Sequence, residues 1–233
     1  MSEQNTFFRW VYRLLAIGGL CLLLAIAYIW IAGSINSRQW RGRNTVEVEQ
    51  AGRNGQKRVQ TLRFNDLESI KGSATQLIKV ESEDEAGNKV GFSSGGYGAA
   101  FTTRNLIFLE AGNGMARWLF PDNDQFIGKV SKLCVCEEDK QSDVLAIYLE
   151  VARGKPGEAS VASRVVPALT RADGNGYTEL GKPVSRVLDN VVSDDGKTLG
   201  LLVEDNGKLL YRQFSLESFA PLSERLVTQL DRR

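Results

Sequence analysis

The chain has 233 residues, 29 lysines and arginines against 28 aspartates and glutamates, and no histidine. A balance this close to neutral gives no net field to draw nucleic acid or an anionic substrate. The missing histidine removes the commonest general base and the commonest metal ligand.

The first thirteen residues form a short tail in which Phe7, Phe8, Trp10 and Tyr12 alternate with Arg9 and Arg13. Aromatic rings and snorkelling arginines both favour the headgroup level of a bilayer. Residues 14–33 then read LLAIGGLCLLLAIAYIWIAG, without a charge or a proline. At roughly 1.5 Å rise per residue this run matches the hydrocarbon thickness of a membrane, so it is expected to be one transmembrane helix. Leu14, Leu20, Leu24 and Trp30 represent the lipid-anchoring residues. An uncleaved anchor fits better than a signal peptide, whose apolar stretch is shorter and ends at a small-residue cleavage site. Gly18, Cys21, Ala25 and Ala32 fall near one helical face and form a candidate packing stripe for a second helix.

Residues 34–44 form a basic linker containing Arg38, Trp40, Arg41 and Arg43. Arginines on both flanks leave the positive-inside rule indecisive. A short tail before a large domain favours the N-terminus inside and the domain outside the cytoplasm, which is the periplasm if the source is bacterial.

Residues 45–222 are expected to be one β-rich domain, since 23 glycines and 42% apolar residues suit strands, turns and a core. Thr45–Glu49 alternates, and Lys57–Phe64 is strand-like after a glycine-flanked turn, which predicts a hairpin. Asn65 with Glu68 predicts a capped short helix over 66–71, followed by a strand at Thr75–Glu81. Gly91–Ala100 reads as a glycine- and serine-rich loop. Strand, turn, strand units follow at Leu106–Glu110 with Met115–Phe120, and at Phe126–Cys136 with Val144–Ala152. The pattern returns at Val165–Thr170 with Tyr177–Leu180, at Val184–Val192 with Thr198–Val203, and at Leu209–Phe214. The Asn206-Gly207 pair marks a type I′ hairpin, because both residues accept positive φ. Residues 223–233 predict a short helix with Ser223 as N-cap and Leu222, Leu226 and Leu230 on one side.

Candidate chemistry is sparse. Gly91-Phe92-Ser93-Ser94-Gly95 fits the nucleophile-elbow spacing, but glycines follow where a helix is needed and no histidine can take the proton. Cys134 and Cys136 would share one strand face and read as small apolar residues of a core, short of the ligands a closed zinc site needs. Asp122-Asn123-Asp124 and Asp173-Gly174-Asn175 lack the continuation of a calcium loop and read as turns. Trp118, Phe120 and Tyr211 read as core aromatics. No cofactor, metal site or catalytic residue is expected.

Ser193-Asp194-Asp195-Gly196-Lys197, the apolar strand after it, and Asn206-Gly207-Lys208-Leu209-Leu210-Tyr211 together resemble one blade unit of TolB-type β-propellers. Leu106–Gly114 and Val165–Leu180 are similar to parts of such a unit. The resemblance covers about two units within residues 104–219, with Asp194 where the family has proline. It implies stacked antiparallel sheets and a binding role. The expected architecture is therefore all-β, with antiparallel meander sheets resembling an incomplete propeller behind one N-terminal transmembrane helix. Exposed sheet edges and an anchor favour a non-catalytic binding or accessory protein whose partners are the lipid bilayer and a membrane-proximal protein. The rivals are a membrane-bound enzyme using carboxylates such as Asp122 and Asp124, and a ligand sensor.

Overall fold

A computed structural model describes residues 45–51, 57–82, 102–135, 142–153 and 164–230, together with Gly18, Gly19, Leu23 and Tyr28. The chain divides into two compact units, Met1–Thr45 and Val46–Arg233. Within the first, Gly18, Gly19, Leu23 and Tyr28 are helical and exposed, and Thr45 opens the first strand. Among the described residues no helix is long and apolar enough to cross a membrane, and most of residues 14–33 lies outside them.

The second unit is built of antiparallel strands. Among the described residues, ten belong to one sheet: β1 (Thr45–Ala51), β2 (Lys57–Phe64), β3 (Glu68–Ser69), β4 (Thr75–Ser82), β5 (Thr102–Glu110), β6 (Ala116–Trp118), β7 (Gln125–Leu133), β8 (Ala146–Arg153), β9 (Val166–Thr170) and β10 (Thr178–Glu179). Their order is β1-β2-β4-β5-β7-β8-β9-β10, with β3 beside β4 and β6 beside β5. The other sheet is a four-stranded meander of β11 (Arg186–Val192), β12 (Thr198–Asp205), β13 (Lys208–Ser215) and β14 (Pro221–Gln229).

Strand β8 shows how the layers are made. Every residue from Ala146 to Ala152 is buried, so both faces of this strand are covered. Ala146 and Tyr148 join Leu133 and Leu169 against Val187, Leu199, Leu201, Val203 and Phe214 of the second sheet. Ile147, Leu149 and Val151 point the opposite way, into a core with Leu77, Leu106, Phe108 and Ile127. That far core is roofed by turn residues, among them Leu119, Phe120, Ala172 and Tyr177, with Phe120 and Tyr177 packed edge to face at 5.1 Å. Burying each such leucine or phenylalanine is worth about 1.5–3 kcal/mol, so the doubly covered strands carry the largest share of the stabilisation.

The expected hairpins form. Asn206 and Gly207 have φ of 51° and 75°, as a type I′ turn between β12 and β13 requires. Gly114, Gly174, Gly176 and Gly196 also take positive φ in turns that follow strands.

Four expectations are corrected. Residues 66–71 are not a helix: Glu68–Ser69 pairs with Leu77–Gln76, and Asn65 Nδ2 donates to Glu81 Oε1 at 2.8 Å instead of capping. Glu68 sits between Lys79 at 2.9 Å and Lys132 at 3.2 Å. Burial would raise its carboxyl, but the two ammonium groups hold it below its ordinary value. The C-terminal helix is likewise a strand, β14. Its four-residue leucine spacing fits a strand as well as a helix, since a period of two also returns to the same face every fourth residue; two β-bulges, at Leu222 and Val227, interrupt the pairing. Trp118 is 43% exposed, edge-on to Phe64, and so lies outside the core. Cys134 is disulfide-bonded, where a free thiol was expected.

Candidate functional site

Two groupings of polar side chains interrupt the apolar inner faces of the sheets. The first lies in the seam between them. Along β7 the pairing with β8 shifts between Ile127–Val151 and Lys129–Glu150, leaving Gly128 as an extra residue. The bulge turns Lys129 onto the face of Glu150 and Tyr148, which without it would look into the far core. A matching shift in β11, between Val187–Val203 and Asp189–Leu202, makes Leu188 the extra residue and turns Asn190 inward opposite Leu201. The ammonium of Lys129 donates to Asn190 Oδ1 at 2.7 Å, linking the sheets across the seam. It also lies 5.8 Å from the centre of the Tyr148 ring. Tyr148 Oη donates to Glu150 Oε1 at 3.4 Å, and both residues are fully buried. Burial, and then the Glu150 carboxylate, push the phenol far above its ordinary ionisation range, so it stays a neutral donor.

A third bulge aims Arg104. The β4–β5 register jumps from Val80–Asn105 to Glu81–Thr103, with Arg104 between. Its guanidinium lies 3.6 Å over the Phe126 ring, and Nη1 donates to the Gln125 carbonyl at 3.3 Å. Next to it, Asn105 pins the turn that carries Asp122 and Asp124. Its Nδ2 donates to the carbonyls of Phe120 and Asp122, each at 2.9 Å, and its Oδ1 accepts from Phe120 N at 3.0 Å. Asp122 and Asp124 are both exposed, and Asp122 Oδ1 accepts from the Asp124 amide at 3.1 Å. This is an Asx turn, and the two carboxylates line no described cavity.

The second grouping lies at the edge of the four-stranded sheet. Arg212 occupies an inward slot of β13 between Leu210 and Phe214, opposite Leu201. Its side chain is 12% exposed, and Nε donates to Glu224 Oε2 on β14 at 2.6 Å. A cavity of about 460 Å³ opens here, between the inner face of β13–β14 and the turn after β10. Leu180, Phe214, Pro221 and Leu222 supply apolar wall, while Lys182, Arg212 and Glu224 supply charge. Strand β14 is almost wholly exposed: Leu222 of the cavity wall and Leu226 at 58%, Val227 at 54% and, just past its end, Leu230 at 39%.

Most residues singled out in the sequence fall outside the described residues: Leu14, Leu20, Leu24 and Trp30, the stripe members Cys21, Ala25 and Ala32, and also Ser93 and Cys136. Gly18 is described; it is exposed, with no atom within 4 Å of the space a side chain would take. Among the described residues no three or more carboxylates and cysteines gather as metal ligands. The sequence reading passed over both polar groupings, although each leaves a trace. Gly128 inside a strand pattern is a bulge signal, and Arg212 is a charge in an inward slot of an alternating run. Neither a protein-family model nor a curated protein matches the chain.

Proposed function

We propose that the protein is a membrane-anchored, non-catalytic binding or accessory protein that presents its β domain to a protein partner at the membrane. The observation that carries this is the edge strand of the second sheet, where Leu222, Leu226 and Val227, with Leu230 just past its end, remain exposed. Edges with that much apolar surface are docking sites or aggregation hazards, and native proteins manage the hazard by blunting them. Here the bulges at Leu222 and Val227, with Pro221, Glu224 and Arg225, discourage indiscriminate strand addition. They leave side-chain contact as the mode of docking. The meander β11–β14 serves as one blade-like unit of an incomplete propeller, held near the bilayer by residues 14–33. The disulfide at Cys134 supports a domain outside the cytoplasm, since disulfides persist in oxidising compartments.

The test is a photo-crosslinking amino acid placed at Val227 in the full-length protein at native expression. A discrete membrane-dependent adduct is expected there, and none from the same group at Asp194 on the opposite edge turn. Equal adducts at both positions, or none at Val227, would refute docking through β14.

A further inference from the structure

Arg212 stands where the strand pattern calls for an apolar side chain. Leu210 and Phe214 flank it on the inner face of β13, and its cross-strand neighbour is Leu201. Glu224 takes the Nε–H, but Nη1 is buried and meets no protein acceptor. A buried guanidinium donor left without an acceptor costs about 1–3 kcal/mol, so packing alone does not account for an arginine in this slot; Nη1 itself has almost no accessible surface, and the cavity is met by the other atoms of Arg212.

The surroundings say what that would be. The cavity beside Arg212, about 460 Å³, is of the size that takes a small organic molecule. Leu180, Phe214, Pro221 and Leu222 give it an apolar wall. Its charged groups are Lys182, Arg212 and Glu224, two cations and one carboxylate, so the lining carries one net positive charge. Lys182 is exposed, whereas Arg212 is held by Glu224. A fixed planar donor, a second cation and an apolar wall together fit one ligand class. We infer that this cavity binds a small monoanionic organic acid, its carboxylate held by Arg212 and Lys182 and its apolar body against Phe214 and Leu222. The site shares Leu222 with the docking edge of β14 but is separable from it in the test: a partner at Val227 does not need the cavity filled, and the acid does not need the partner.

The probe is 4-phenylbutyrate, titrated calorimetrically into the full-length protein in detergent against a detergent blank, with 4-phenylbutanamide as its uncharged counterpart. Saturable one-to-one binding is expected, with the amide weaker by about tenfold or more, since a charge-assisted hydrogen bond is lost. Arg212→Met should weaken binding by a similar factor. Because that variant also alters packing, Lys182→Glu provides the second arm: it changes an exposed residue, inverts the net charge of the lining, and should abolish binding while leaving the melting temperature unchanged. Absence of saturation up to about 10 mM acid overturns the inference. Binding that is equal for acid and amide, or unchanged in Lys182→Glu, overturns it as well, because the cavity would then be apolar only.

Discussion

Replacing Gly174 by alanine separates two costs that glycine substitutions usually mix. Gly174 has φ of +80° and lies buried under the turn that joins β9 to β10. The turn is closed by Gly174 N donating to the Arg171 carbonyl and Asn175 N donating to Asp173 Oδ1, both at 2.9 Å. A Cβ built there would lie 2.8 Å from Phe108 Cε2 and closer still to Cγ and Cδ2, in the middle of the far core. Left-handed backbone costs an alanine about 1–2 kcal/mol. Forcing a methyl into a packed core adds about 1–3 kcal/mol. Losing glycine's freedom in the unfolded chain returns about 0.4–1 kcal/mol. The sum is a loss of about 2–4 kcal/mol, or a melting point lower by roughly 5–15 °C for a domain of this size. Gly114 is the control: its φ is +68°, but no atom lies within 4 Å of its added Cβ. Gly114→Ala should therefore cost only about 1 kcal/mol or less. Urea unfolding followed by tryptophan fluorescence measures both, and Phe108→Leu combined with Gly174→Ala should recover about 1 kcal/mol through a double-mutant cycle. If the two alanine variants differ by less than about 0.5 kcal/mol, the overlap with Phe108 does not determine stability and the packing argument fails.

Three further outcomes are expected. Gly207→Val should lower stability by about 1–2 kcal/mol, because a β-branched residue resists the φ of +75° and its Cβ would press on the Leu230 carbonyl at 3.4 Å; an unchanged urea midpoint would mean the type I′ turn tolerates valine. At Asp173, burial works to raise the carboxyl, but the Asn175 amide groups and Arg117 outweigh it and hold the group below its ordinary value. Its stabilisation is thus full above the unfolded pKa and fades as pH falls through the lower, folded one. Wild type should lose stability relative to Asp173→Asn only below about pH 4, and parallel pH–stability curves down to about pH 2 would contradict this. Finally, a reporter active only outside the cytoplasm, fused after Arg233, should be active; activity solely from a cytoplasmic reporter would reverse the orientation and assign Arg38, Arg41 and Arg43 as its cause.

The parts of the fold legible in the sequence are those set by short-range chemistry. Asn206-Gly207 and the two Gly-Asn-Gly turns declare themselves because positive φ is a local demand that few residues meet. Pairings across those turns follow, as β5–β6, β9–β10 and β12–β13 show. What stays hidden depends on single inserted residues. In β14 the four-residue leucine spacing serves a helix and a strand alike, and the bulges at Leu222 and Val227 break the alternation that would have told them apart. Those at Gly128 and Leu188 decide which face Lys129 and Asn190 occupy, so no face assignment from simple alternation finds their contact. The β8 run, buried on both sides, carries no periodicity that would tell one core from two. The Arg212 cavity needs β10, β13 and β14 together, and only the tertiary fold brings the 180–182 turn to that edge.

The contact between Lys129 and Asn190 also bears on how this domain can change. Apolar surfaces attract without fixing a lateral offset, so two greasy sheets can slide by one residue pair at little cost in buried area. One directional bond from an ammonium group restricts that freedom, because a slide breaks the link to Asn190 and sets the cation against Leu201 and Val203 on the facing sheet. Core side chains on either sheet can therefore be exchanged by size with modest penalty, whereas losing the single residue Gly128 swings the N-terminal half of β7 about its axis relative to the half that carries Lys129. Length in β7 and β11 is thus held more tightly than composition.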